Sequence, residues 1–494
     1  MPEEDPDAVV RGDRFSGGPA REFLSSLGAD RRIFAADLAV DRAHVVMLEE
    51  QGIVDPDAAS EILGALEAIE DAGHGALPDG EDVHEAIESA VIGGIREDGE
   101  TLLEGVGPDG GKMHTARSRN DEVAACIRYR LREDLLDLAD TVNVFREALL
   151  DAASEHTETV MPGYTHLQPA QPTTVAHWLR SYESALSRDV ERLLDCYARV
   201  NRSPLGAGAF AGVSFPVDRE RTAELLGFSG VIENSADAAA TRDFLVETAG
   251  ALAALGGTLS GIAEDGILFA NRGYLDLDDD YASTSSIMPQ KKNPDTLELV
   301  RASAGDALAG LTGTFTILKG LPRAYNRDLQ RAGPHVWEAI DAVTEATEVA
   351  AGAVATATWN VEALAADAGE GFSTATGVAD LLAMAGVPFR TAHELVATAA
   401  AGDADYDALD QAAHEVLGRS LEAVLDRDAV EDALDPDTNV AMRDSAGGPA
   451  PAATEDAIDR ARESVAADRE AVATARGSLA DAAATLDREV SQRT

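Results

Sequence analysis

Apolar residues along this chain recur at helical spacing wherever they show a clear period. Between residues 242 and 270 the run Arg-Asp-Phe-Leu-Val-Glu-Thr-Ala-Gly-Ala-Leu-Ala-Ala-Leu-Gly-Gly carries few charges before Glu264. Small and apolar side chains on most faces predict a helix buried nearly all round. Similar segments span about 122–156, 174–201, 295–318 and 332–358, each bounded by Gly, Pro or polar breakers. Five long helices imply a bundle. Alternating strand patterns are scarce and no βαβ spacing repeats, so the expectation is a mostly α protein rather than a doubly wound sheet. Loops rich in Gly, Pro, Asp or Ser fall at 97–111, 161–173, 203–216 and 271–293. A Gly/Pro-rich stretch within 435–455 precedes a final amphipathic helix at about 457–490, whose alternating acids and arginines read as a solvated face with i,i+4 pairs. No internal repeat is present.

Composition narrows the function classes. At 494 residues and 45% hydrophobic, the chain is long enough for a large core and two or three domains. It carries 89 Asp+Glu against 40 Lys+Arg, a net charge of -49. The acids are spread along the whole length, which argues against a disordered acidic tail and leaves little basic surface for nucleic acid. Arginine replaces lysine almost everywhere, a bias that reads as adaptation to a high-salt cytoplasm. At roughly 1 M salt the Debye length is about 3 Å and such self-repulsion is screened. Cys126 and Cys196, the only cysteines, have no partners at metal or disulfide-framework spacing and read as small core residues. Residues 1–5 are acidic and unlike a signal peptide, and no stretch of about 20 apolar residues runs without charge or polar interruption. A soluble cytoplasmic protein with no membrane or nucleic-acid partner is expected.

Four lysines stand in the chain, at 112, 291, 292 and 319, two of them in Ser285-Ser286-Ile287-Met288-Pro289-Gln290-Lys291-Lys292-Asn293-Pro294. Hydroxyls, lysines and an asparagine before a helix start suit an anion-handling loop; a surface turn holding two lysines is the plain alternative. In Gly111-Lys112-Met113-His114-Thr115-Ala116-Arg117-Ser118-Arg119-Asn120-Asp121, donor side chains precede a long helix. They suit carboxylate binding, or else a basic capping segment paired with nearby acids. In Met161-Pro162-Gly163-Tyr164-Thr165-His166-Leu167-Gln168-Pro169-Ala170-Gln171-Pro172, three prolines and a glycine make a rigid loop presenting Thr165 and His166. Imidazole suits proton transfer near neutrality, although a lone loop histidine is usually structural. Asn293 can cap the following helix, Pro294 fits its first position, and Glu298 falls in its first turns. A histidine approached by Glu298 would have its tautomer fixed and its basicity raised. Ser285 works as a base only if lysine and helix-start amides stabilise its alkoxide. Lys291 would neutralise charge growing on a substrate carboxylate. Proton abstraction next to a carboxylate, without metal or organic cofactor, is the chemistry these residues point to.

Segment 284–294 resembles the signature loop of the fumarase/aspartase superfamily, whose members release fumarate by anti elimination. Its Gln-Lys-Lys-Asn-Pro ending is similar to that of the argininosuccinate lyases. Matches at 114–121, 161–168, 203–209, Arg242-Asp243-Phe244 and 320–330 follow in the family order, and the likeness runs from about residue 12 into the C-terminal region. The resemblance implies a three-domain, mostly α fold, divided here at 1–114, 115–365 and 366–494. It also implies a homotetramer built around a twenty-helix core, with each active site shared between subunits. The implied reaction is cleavage of argininosuccinate to arginine and fumarate, without a cofactor. Carried over by position, Ser285 is the base and Lys291 stabilises the aci-carboxylate. His166, oriented by Glu298, is the partner in proton transfer to the guanidinium, with the identity of the acid left open. Ser26, Ser118, Arg119, Asn120, Thr165, Asn293, Tyr325 and Gln330 would bind the substrate. Three positions depart from the family pattern. Thr284 stands where glycine is usual, and Glu122 where glutamine is, adding a charge beside an anion site. Ala332-Gly333-Pro334 lacks a lysine that often follows Gln330, for which Arg331 is the nearest substitute.

Overall fold

A computed structural model describes residues 20–97, 100–401 and 405–494; the acidic start at 1–5 lies outside them. Five long helices form the central bundle: α1 (Arg119–Glu155), α2 (Val175–Val200), α3 (Asp243–Arg272), α4 (Asp295–Leu318) and α5 (Ala332–Thr356). Their starts follow local chemistry. Ser118 caps α1 by accepting from the Asn120 N–H at 3.3 Å, while Asp121 accepts from the Ser118 N–H at 3.1 Å, a reciprocal capping box. Thr174 caps α2 through the His177 N–H. α3 stops at Gly273 in the left-handed region.

The core of the bundle mixes large apolar with small side chains, as the sequence led one to expect. α3 buries Phe244, Leu245, Leu252, Leu255 and Leu259 against α4, α5 and α2. A Cβ on Gly310 of α4 would stand 2.6 Å from the Ala339 Cβ and 2.8 Å from the His335 carbonyl of α5, so only glycine permits that approach. Among the described residues α3 is the helix long and apolar enough to cross a membrane, and here it is the packed centre of the bundle. Cys126 and Cys196 are buried free thiols, in line with the core role read for them.

Of the N-terminal helices, Phe34–Glu50 packs on α1, Pro56–Ala72 and Val83–Gly93 pack on Phe34–Glu50 and on each other, and all three share the main core. Helices Ala375–Met384, Phe389–Ala399, Tyr406–Leu417 and Arg427–Leu434 form a second cluster around Val378, Leu382, Leu395, Leu409 and Val430. The last helix, α6 (Pro451–Ser491), leaves that cluster and lies along α1 and α2. The expected unit 366–494 thus contains both the second cluster and a helix of the main core. Most of α6's arginines do not make the i,i+4 pairs read from the sequence. Arg462, Arg469 and Arg476 reach acids of α1, Asp151 at 2.8 Å, Glu147 at 2.6 Å and Asp137 at 2.8 Å, because α6 presents this face to a neighbouring helix rather than to water alone.

Two expected loops are β-hairpins. Strands Val160–Thr165 and Gln168–Thr174 pair antiparallel, with a bulge between Pro162 and Tyr164. Their three prolines are tolerated because this two-stranded sheet has only edge strands. Within 271–293, Ser283–Thr284 pairs with Lys292–Asn293.

Candidate active site

The first hairpin presents His166 at its tip. Thr165 pairs with Gln168, so His166 and Leu167 are the two turn residues, and both have positive φ, +57° and +60°. This is the turn class that matches strand twist, usually made with Asn or Gly. Holding two ordinary side chains there costs about 1 kcal/mol or more each, strain of the kind concentrated at functional sites. Gly163 fixes the bulge below, where a Cβ would stand 2.4 Å from the Gln171 carbonyl. Thr165 and His166 are exposed as a result.

The second hairpin carries the serine and lysines. The Ser285 Oγ accepts from the Met288 N–H at 3.1 Å and the Ile287 N–H at 3.4 Å, and the Ser285 N–H donates to the Lys291 carbonyl at 3.3 Å. The amides that favour charge on this oxygen therefore come from its own loop, not from a helix start. Lys292 binds Asp279 at 2.9 Å and Asp276 at 3.2 Å. Lys112 is likewise held by Asp55 and Asp109. Lys291 has no acid partner among the described residues and is exposed. Asn293 does not cap α4 as expected: its backbone is committed to Ser283 in the hairpin, Pro294 takes the cap position, and the Ser283 hydroxyl bonds Asp295 in the first turn. Glu298 is exposed near the start of α4, and no hydrogen bond joins it to His166 among the described residues.

A separate set gathers at the opposite end of the bundle, in a pocket lined by Ser26, Asp30, Asp82, Tyr325, Arg327 and Gln330. The Ser26 hydroxyl donates to Asp30 at 2.7 Å, and Gln330 Nε2 donates to the Leu24 carbonyl at 3.1 Å. Burial pushes the Tyr325 phenol up, so it stays protonated. Arg119 reaches Asp82 at 3.3 Å, and Asn120 donates to the Ala209 carbonyl at 2.9 Å, tying loop 203–209 to α1. Asp30, Asp82 and Arg327 were not singled out from the sequence. Asp82 had one local signal, its place as a helix cap accepting from the Glu85 N–H at 2.8 Å.

The other donors of 111–121 serve structure. Arg117 is buried between Asp41 at 2.5 Å and Glu122 at 2.8 Å. His84 lies 2.8 Å from Asp37 and 3.8 Å from Glu122. Burial alone would lower its pKa, but Asp37 and then Glu122 raise it to about 10, so it is a cation at neutrality. Burial and the Arg117 charge hold His114 down to about 3, which leaves it neutral.

The two ends do not meet in one chain. Ser118, Arg119 and Asn120 stand at the start of α1, and Thr165–His166 lies beyond its far end; 37 helical residues span about 55 Å. Likewise Asn293 and Glu298 precede or begin α4, while Tyr325 and Gln330 follow it.

Residues 26–308 match the model of a lyase family, and residues 372–441 match that of the argininosuccinate lyase C-terminal region. The chain is 66% identical to the argininosuccinate lyase of Haloarcula marismortui over 98% of its own length and 96% of the relative's. It is 68% identical to that of Natronomonas pharaonis, with the same coverages. This chain belongs to the argininosuccinate lyase family. Among solved structures, EDDS lyase in complex with formate superposes with a TM-score of 0.85 at 34% identity, covering 96% of this chain and 95% of that one. A class II fumarase from Schistosoma mansoni shares the fold, with a TM-score of 0.67 at 16% identity over 82% of this chain and 90% of that one.

The three departures from the family pattern now have locations. Thr284 sits in extended, paired backbone and needs no glycine. Glu122 is buried against Arg117, so its charge is neutralised rather than set beside the anion site. Arg331 lies 5.9 Å over the Phe23 ring, and the cations lining the pocket are Arg327 and the protonated His84 instead.

Proposed function

We propose that this family member catalyses the reversible anti β-elimination of argininosuccinate to L-arginine and fumarate, in the cytoplasm and without a cofactor. Ser285 removes a proton from the carbon next to one succinate carboxylate, and Lys291 neutralises the charge delocalised onto that carboxylate. The carbon–nitrogen bond then breaks, its electron pair goes to the guanidine nitrogen, and His166 takes part in the proton transfer this nitrogen needs. Ser26, Ser118, Arg119, Asn120, Thr165, Asn293, Tyr325 and Gln330 hold the substrate. The observation that carries this reading is the Ser285 loop: its serine oxygen faces two amide donors, and of its adjacent lysines only Lys292 is neutralised by aspartates among the described residues.

Because the two residue sets lie at opposite ends of the bundle, a complete site requires other subunits, and the assembly is a homotetramer in which Glu298 meets His166 across an interface. α4 supports this with an apolar exposed face: Leu308 and Phe315, about two turns apart, are 55% and 54% exposed in a chain of net charge -49.

The test follows the absorbance of fumarate in high salt, with argininosuccinate, adenylosuccinate and malate offered separately. Release from argininosuccinate alone is expected, and none from it overturns the reading. Ser285→Ala and His166→Asn should each lose on the order of 10²-fold or more in turnover. Refolding inactive His166→Asn chains together with inactive Arg119→Gln chains should restore turnover, since mixed assemblies contain sites with both native residues. No recovery from co-assembled chains would refute shared sites.

A further inference from the structure

Two catalytic segments are joined by side chains that the proposed chemistry leaves unused. Tyr164 lies on the His166 hairpin, and its hydroxyl is 3.0 Å from that of Tyr274. Tyr274 is buried immediately after Gly273 and heads the segment that carries Ser285 and Lys291. Its hydroxyl donates to Asp367 Oδ2 at 2.6 Å. With its one proton committed there, Tyr274 can only accept from Tyr164, so the three groups form a directed chain from Tyr164 through Tyr274 to Asp367. Burial and then Asp367 hold the Tyr274 phenol above its ordinary pKa, which keeps that proton in place.

The surroundings fix both ends. Asp367 belongs to helix Val361–Ala368, whose capping residue Asn360 donates from its backbone N–H to the Tyr274 carbonyl at 2.9 Å and from Nδ2 to the Gly273 carbonyl at 3.1 Å. The Arg272 guanidinium stands 4.6 Å over the Tyr164 ring. Plain phenyl rings would fill the same space, so what the hydroxyls add is direction: each bond is satisfied only when hairpin, loop root and helix hold one relative position.

We propose that Tyr164, Tyr274 and Asp367 are positioning residues that lock the hairpin bearing His166 to the root of the loop bearing Ser285. The proposal rests on the roles given to His166 and Ser285 above. The hairpin tip has no glycine and the serine loop is exposed, so neither segment is held in place by burial at its working end.

The test uses the full-length assembled enzyme in high salt, with Tyr274→Phe, Asp367→Asn and Asp367→Leu. For Tyr274→Phe, kcat should fall roughly tenfold or more, since a shift of about 1 Å in a catalytic group costs up to 10²-fold. KM for argininosuccinate should stay within about twofold of the parent. Amide hydrogen exchange should quicken in residues 160–174 and 275–293 and not elsewhere. Asp367→Asn, whose amide oxygen still accepts from Tyr274, should retain most of kcat, whereas Asp367→Leu should behave like Tyr274→Phe. If Tyr274→Phe does not assemble, Tyr164→Phe, which removes the hydroxyl of a half-buried ring, carries the same expectations. Turnover within about twofold of the parent, or a loss that matches the loss of assembled protein, overturns the lock. Exchange needs no substrate, so unchanged exchange refutes the lock, while absent fumarate from the parent refutes the reaction.

Discussion

Replacing Arg117 with methionine tests whether the buried charges beneath 118–120 hold that segment. Three carboxylates, Asp37, Asp41 and Glu122, face Arg117 and a protonated His84 in an interior where every one of these side chains is less than a tenth exposed. With charge centres about 4 Å apart and an effective dielectric near 20, each Arg117 pair is worth about 4 kcal/mol before desolvation. Burial holds the pKa of Asp41 up at about 7 and that of Glu122 up at about 8 even beside Arg117, so removing the cation leaves two buried acids without their partner, a change that costs up to about 3–5 kcal/mol in buried pairs. The melting temperature of Arg117→Met should therefore fall by roughly 3–5 °C in a chain of 494 residues. The drop should be the same in dilute and concentrated salt, because solvent ions do not screen a pair they cannot reach. Glu122→Gln is the contrast: Arg117 keeps Asp41, and the cost should stay within about 1 kcal/mol. It should also change the pH profile. His84 has a folded pKa of about 10 against an unfolded value of 6.5, so its stabilisation is complete below pH 6.5 and is lost as pH rises through 10. Without the Glu122 charge that loss should begin at lower pH. Differential scanning fluorimetry across pH and salt gives both readouts. A shift below about 2 °C for Arg117→Met, or one that disappears in high salt, would refute the reasoning.

Gly163→Ala should distort the hairpin, since the new Cβ would meet the Gln171 carbonyl; kcat should fall by about 10-fold or more while the melting temperature moves little, and parental turnover would show that the bulge does not position His166. Lowering salt from molar to roughly 0.1 M lengthens the Debye length from about 3 to 10 Å and should lower the melting temperature of this -49 chain, so a salt-independent melt would contradict the high-salt reading. Leu308→Asp and Phe315→Asp place charge on the exposed apolar face of α4 and should yield smaller species by light scattering that release no fumarate. Intact, active tetramers would instead show that this face is not an interface.

Helical content and the five long segments were legible because burial on most faces of an Ala- and Gly-rich helix leaves a continuous apolar pattern, as between Phe244 and Leu259. The site motifs were legible because the chemistry needs particular residues close together in the chain, as with Ser285, Lys291 and Lys292. Strand pairing in 160–174 was not, since three prolines and a glycine read as a loop and only the cross-strand register reveals an edge hairpin. Nor could the sequence separate its two adjacent lysines by role, because that depends on Asp276 and Asp279 folding back onto Lys292.

The sequence by itself determined the family, the reaction it implies and the residue types that carry it, since these reside in local strings of chemically committed side chains. The tertiary structure alone decided how those strings are distributed. Rigid helices of 24 and 37 residues hold Arg119 and Tyr325 at one end of the bundle and His166 and Ser285 at the other. It also decided which charges remain available. Asp41 takes up Arg117 and Asp279 takes up Lys292, while Lys291 has no acid partner among the described residues, because an ion pair is fixed by distances in space that no local pattern encodes.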